Sequence, residues 1–62
     1  MRDKLKRLRV SHKFTQQVMA DKIQINRSTY TNIENGKKNP SFLVAKKIKD
    51  ILGHKEDDIF FE

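Results

Sequence analysis

Leu5 and Leu8 stand three residues apart, with Met1 and His12 extending the stripe at helical spacing and Arg2, Lys6 and Arg7 projecting elsewhere. Residues 2–12 therefore read as an amphipathic first helix. Phe14 and the N-cap residue Thr15 open a second helix, 16–23, in which Met19, Ala20 and Ile23 share the inner face and Val18 points out. Gln24-Ile25-Asn26 breaks the pattern, and Asn26 caps a third helix from Arg27 to Asn35. Tyr30 and Ile33 mark its inner side. Its outer side carries Ser28, Thr31 and Asn32, flanked by Arg27, with neither an acid nor a large apolar group.

Gly36 suits a left-handed cap after the third helix, and Lys37-Lys38-Asn39-Pro40 follows as a basic loop. Ser41 caps a fourth helix ending at Leu52, with Val44, Ala45, Ile48, Ile51 and Leu52 as its buried stripe and Gly53 closing it. Residues 55–59 suit a short last turn whose positive end receives Glu56, Asp57 and Asp58. The expected fold is all-α: a compact bundle of four helices plus a short fifth turn, in one domain spanning residues 1–62.

Two of these helices, joined by three residues and with the small Ala20 inside the first, describe a helix-turn-helix. Ala20 permits close approach, Ile25 plugs the turn into the core, and Tyr30 and Ile33 anchor the second helix from behind. The outer side of that helix is then free to face a DNA groove.

Charge points the same way. Residues 1–49 hold thirteen basic and three acidic groups, and residues 50–62 hold one basic and five acidic groups. A basic body with an acidic tail fits a polyanionic partner, nucleic acid before anionic membrane, although a solvated surface has the same composition. Sixty-two residues hide only about 60% of their unfolded surface on folding, so the core must be economical. The absence of cysteine excludes disulfides and thiolate metal sites. The chain shows neither an apolar run of spanning length nor a signal-peptide pattern, which leads to the expectation of a cytoplasmic protein away from the membrane.

From Leu5 to Phe60 the sequence resembles the Cro/C1-type helix-turn-helix domains of phage repressors, the XRE family. Leu8-Arg9, Phe14-Thr15-Gln16-Gln17, Met19-Ala20, Ser28-Thr29, Ile33-Glu34-Asn35-Gly36-Lys37, Asn39-Pro40-Ser41 and Asp58-Ile59-Phe60 carry the likeness. The resemblance implies a five-helix bundle that binds operator DNA, usually as a symmetric dimer. It also implies that Arg9 and Glu34 pair across the core, and that Gln16 and Gln17 act at the DNA backbone or first base pair. Two departures stand out. Ile23-Gln24-Ile25 replaces the usual Leu-Gly-Val, which places Gln24 in a conformation glycine adopts more easily. Tyr30 is larger than the usual Val or Ile.

The expected base-reading set is Arg27, Ser28, Thr31 and Asn32, since arginine can pair with guanine and asparagine with adenine through two hydrogen bonds. Arg27 also suits phosphate alone, and the hydroxyls of Ser28 and Thr31 suit either. Gln16, Gln17, Asn35, Lys37 and Lys38 are the expected DNA-backbone contacts, the lysines being equally explicable as solvated loop charge. Arg2, Lys4 and Lys6 suit added phosphate contacts or plain solvation, and solvation is the expectation. Ile59 is the expected core residue of the last turn, and a two-fold dimer contact is expected from Leu52, His54, Ile59, Phe60 and Phe61, placing two reading helices about 34 Å apart on a palindromic site.

These features fit a sequence-specific regulator of transcription, most simply a repressor acting as a homodimer. A second reading keeps the fold as an antitoxin or protein-interaction module built on the acidic, phenylalanine-bearing end. An enzyme fits poorly, for want of a cysteine nucleophile, a phosphate-binding glycine loop or a partnered histidine. His12 and His54 stand apart and suggest no metal site, and no cofactor or small-molecule effector is expected.

Overall fold

The computed structural model describes residues 1–61. Helix α1 runs Asp3–Ser11, α2 Gln16–Ile23, α3 Arg27–Glu34 and α4 Phe42–Leu52, followed by a 3₁₀ turn at Asp57–Phe60. The described residues contain no strand, and none of their helices is long and apolar enough to cross a membrane. The all-α architecture expected from the hydrophobic pattern is the one observed.

Three helices begin as their sequences dictate. Thr15 Oγ1 accepts the Val18 N–H at 3.1 Å, Asn26 Oδ1 accepts the Thr29 N–H at 2.8 Å, and Ser41 Oγ accepts the Val44 N–H at 3.2 Å. Each bond satisfies a backbone donor that lacks an intrahelical partner. α1 has no side-chain cap.

All four helices end by one device. A residue one or two positions past the helix turns left-handed, its N–H bonds three residues back, and the next N–H bonds five residues back. Phe14 N–H reaches Arg9 O, Ile25 N–H reaches Ala20 O, Lys37 N–H reaches Asn32 O, and His54 N–H reaches Lys49 O. Gly36 and Gly53 serve two of these turns at φ 81° and 63°. Lys13 and Gln24 serve the other two at φ 61° and 68°, where a side chain is disfavoured. The Gln24 turn bends the chain so that Ile25 packs half-buried against the core.

The core consists of Leu5, Met19, Ala20, Ile23, Tyr30, Ile33, Ile48, Leu52 and Ile59, each at most 2% exposed. Leu8, Phe14, Ile25, Val44, Ile51 and Phe60 pack around it. α2 lies against α3 and α4, while α1 closes over α3 and the last turn. Fully buried Ala20 sits in α2, the helix that packs on both α3 and α4.

Three expectations about α1 fail, the first being His12, which is exposed and lies beyond the helix end at Ser11 rather than on its inner stripe. Met1 is 61% exposed because the helix starts only at Asp3 and leaves it outside the stripe. Arg2, expected in solvent, is 4% exposed, since its guanidinium finds carbonyl acceptors inside the fold.

Gln24→Gly and Lys13→Gly relieve left-handed strain of about 1–2 kcal/mol, offset in part by the entropy glycine adds to the unfolded chain. Each is expected to raise stability by about 0.5–1 kcal/mol in a urea melt, while Gly36→Ala lowers it.

Candidate nucleic-acid interface

Tyr30 and Ile33 turn one side of α3 into the core, so its other side must face out. Arg27, Ser28 and Asn32 are exposed there and Thr31 is half-buried. Together with Gln16 from the start of α2 they line one shallow concavity. The sequence-predicted base-reading set is thus contiguous in space and free of apolar groups.

The position of this surface is set from inside. Arg9 on α1 meets Glu34 on α3 through two parallel hydrogen bonds of 2.9 Å, Nε to Oε2 and Nη2 to Oε1. Arg9 Nη1 also donates to Phe14 O at 2.6 Å. The two side chains are 9% and 1% exposed. Burial by itself would raise the Glu34 carboxyl, but the hydrogen bonds and charge of Arg9, with the neighbouring Tyr30 hydroxyl and Gln16 amide, together outweigh it and hold its pKa below the usual carboxylate value. The Tyr30 hydroxyl lies close enough to feel this pair yet has no partner in hydrogen-bonding geometry. Burial first, and the Glu34 carboxylate second, push it above the ordinary phenol range.

A short chain of contacts leads from that pair to the surface. Gln16 Nε2 points at Glu34 Oε1 from 3.4 Å, and its Oε1 accepts the Thr31 hydroxyl at 3.0 Å. Gln16 therefore joins α2 to α3 and takes up the Thr31 hydroxyl proton in a hydrogen bond. Gln17 is exposed and donates to Asp21 Oδ1 at 2.9 Å. Asn35 is half-buried, whereas Lys37 and Lys38 are exposed and their N–H groups both donate to Asn32 O, at 2.9 and 3.1 Å. The lysines thus continue directly from the C-terminal end of α3.

Two residues expected at a dimer contact do not fit there. Leu52 and Ile59 are each 2% exposed and lie in the core, with no surface left for a second chain. His54 is half-buried and its Nε2 lies 2.7 Å from Asp58 Oδ1. The acidic turn is held to the basic body by this contact, by Lys49 to Asp57 at 2.5 Å and by Lys4 to Asp58 at 3.7 Å. His54 and Lys4 hold the Asp58 carboxyl below its usual value. Phe60 packs half-buried on the core, and Phe61 is 80% exposed. Phe42, 86% exposed, lines the same groove as Phe60 and Phe61. Sequence reading missed it, although an apolar residue off the α4 stripe and directly after the Ser41 cap was a usable signal.

The geometry of two short helices with a polar outer flank now meets its counterpart in known proteins. A family model described as helix-turn-helix matches residues 5–59. The chain belongs to the Cro/C1-type helix-turn-helix family. An uncharacterised HTH-type transcriptional regulator of Bacillus subtilis, YqaF, is 48% identical over all of this chain and 80% of its own length. One from Methanocaldococcus jannaschii is 43% identical over 97% of this chain and 91% of its own. Another from Archaeoglobus fulgidus is 37% identical over 97% and 84%. No solved structure matches the chain at comparable significance.

Removing Glu34 strands a buried arginine, which costs about 3–5 kcal/mol. That approaches the whole stability of a domain this size, at about 0.05–0.15 kcal/mol per residue. Glu34→Ala should therefore be largely unfolded at room temperature by circular dichroism. Because the folded-state pKa of Glu34 is lowered, the pair stabilises fully above the unfolded carboxyl pKa, and this contribution is lost as pH falls through the folded value. An acid titration of the parent should show that loss below pH 4.5.

Proposed function

We propose that this helix-turn-helix domain binds duplex DNA by laying α3 in the major groove and that it regulates transcription by occupying operator sites. The contiguous polar flank of Arg27, Ser28, Thr31 and Asn32, backed by the buried Arg9–Glu34 pair, carries this reading. The regulators it resembles across nearly its whole length support the role in transcription. Repression is the simplest mode for a domain that acts by occupying a site.

Within the proposed complex, Arg27 and Asn32 read base edges while Ser28 and Thr31 contribute single hydrogen bonds to bases or phosphate. Gln17, Lys37 and Lys38 contact phosphates, with Asn35 at the end of α3 between the two sets. Gln16 acts less as a free contact than as the brace that aims Thr31. The net +10 of residues 1–49 draws the body to the polyanion, and the acidic turn, tied to Lys4, Lys49 and His54, stays on the body.

Binding as a homodimer on a palindromic operator is part of the same proposal. With Leu52 and Ile59 inside, the contact falls on Phe61, Phe60 and Phe42, with His54 at most on its rim. Exposed aromatic pairs of this kind are unusual on a monomer surface. An antitoxin or protein-interaction role would use the same phenylalanines, but the polar α3 flank then has no function.

Selection from random duplexes is expected to return a symmetric site with half-sites about 34 Å apart. Asn32→Ala should relax preference at one position per half-site at about 1–3 kcal/mol, and Lys37→Ala should weaken all sequences alike. Asymmetric or unselective recovery would contradict the reading. Phe61→Asp should shift sedimentation from dimer to monomer and leave the melt within about 0.5 kcal/mol, as for an exposed site.

A further inference from the structure

Arg2 is the most unusual side chain outside the α3 surface. It is 4% exposed, and among the described residues its acceptors are carbonyl and amide oxygens, with no carboxylate. Its Nη1 donates to Ile33 O and to Lys38 O, the latter at 3.0 Å, while Nη2 donates to Asn39 Oδ1 at 2.6 Å. Nε donates to Phe60 O at 3.2 Å, and the Arg2 backbone N–H donates to Glu34 O at 2.8 Å. One guanidinium thus grips the C-terminal carbonyls of α3, the loop after it and the last turn. The negative end of the α3 dipole supplies part of the compensation for the buried charge.

The loop has few other supports. Lys37 and Lys38 hang from Asn32 O by their N–H groups, and on the far side the carbonyl of Lys38 and the amide of Asn39 are held by Arg2. A lysine on a loose loop loses conformational freedom when it closes on a phosphate, whereas a lysine on a braced loop has already lost it.

We propose that Arg2 is a positioning residue for DNA binding: it holds Lys37 and Lys38 at the phosphate backbone in fixed register with α3. This rests on the reading above that the two lysines contact phosphate. Arg2 itself touches no DNA, being buried behind the loop.

The variants are Arg2→Lys, which keeps the charge but cannot span four acceptors, and Asn39→Ala, which removes one of the two loop contacts and leaves the bonds to Ile33, Lys38 and Phe60. The phosphate contribution is independent of sequence, so the probe is a mixed-sequence duplex at several salt concentrations, with each protein below its melting range. Arg2→Lys should bind about tenfold more weakly, the cost of ordering roughly one loop residue, and Asn39→Ala should be weakened by a smaller factor. The slope of log affinity against log salt should fall by about one phosphate contact, and the loss should not add to that of Lys38→Ala. A purely structural arginine would lower the melting temperature and leave slope and additivity untouched; that result overturns the inference. If Lys37→Ala and Lys38→Ala leave the slope unchanged, the phosphate reading fails first and takes the inference with it. A normal response to both lysine changes, with parent-like binding by Asn39→Ala and Arg2→Lys, refutes the inference alone.

Discussion

An eight-residue helix has no stability of its own in water, so α3 exists only where its neighbours hold it. Tyr30 and Ile33 provide apolar burial, which is strong but indifferent to small rotations. The paired hydrogen bonds from Arg9 to Glu34 add direction, since two parallel bonds to one carboxylate tolerate little change in angle. Desolvating both ions offsets most of their attraction, so the pair contributes placement more than net stability. Through Gln16 the same carboxylate reaches Thr31, which ties the orientation of a surface hydroxyl to an ion pair in the core.

The helix ends extend this control to the loops. Four left-handed turns set the angles at which successive helices depart, and two of them use Lys13 and Gln24 where glycine would sit without strain. The turn at Gln24 packs Ile25 half-buried against the core between α2 and α3. The turn at Gly36 sends Lys37 and Lys38 out beside Asn32, extending the polar flank of α3 with positive charge. A small core is sufficient because every interruption between helices is itself hydrogen-bonded.

Period and capping made most of the fold legible in the sequence. Thr15, Asn26 and Ser41 marked helix starts to the residue because a side-chain cap is a local event. The outer flank of α3 was legible for the same reason: its positions follow from where Tyr30 and Ile33 must go. Arg2 was not legible. Its burial depends on carbonyls from residues 33, 38 and 60, which become neighbours only after folding. In the sequence Leu52 and Ile59 read both as core residues and as part of a dimer surface, and their burial in the folded chain decides for the core. Lys13 carried no left-handed signal, since a lysine there looks like any other loop residue.

The central claim is that the outer side of α3 and the loop behind it form the surface that meets DNA. Titrating a duplex into isotopically labelled protein and following backbone amides by NMR tests it most directly. The largest shifts are expected at Arg27, Ser28, Thr31, Asn32, Lys37 and Lys38, with Val10 on the outer face of α1 and Lys55 near the acidic turn unmoved. Shifts concentrated at Phe42 and Phe61 or along α1, with α3 silent, would contradict the account.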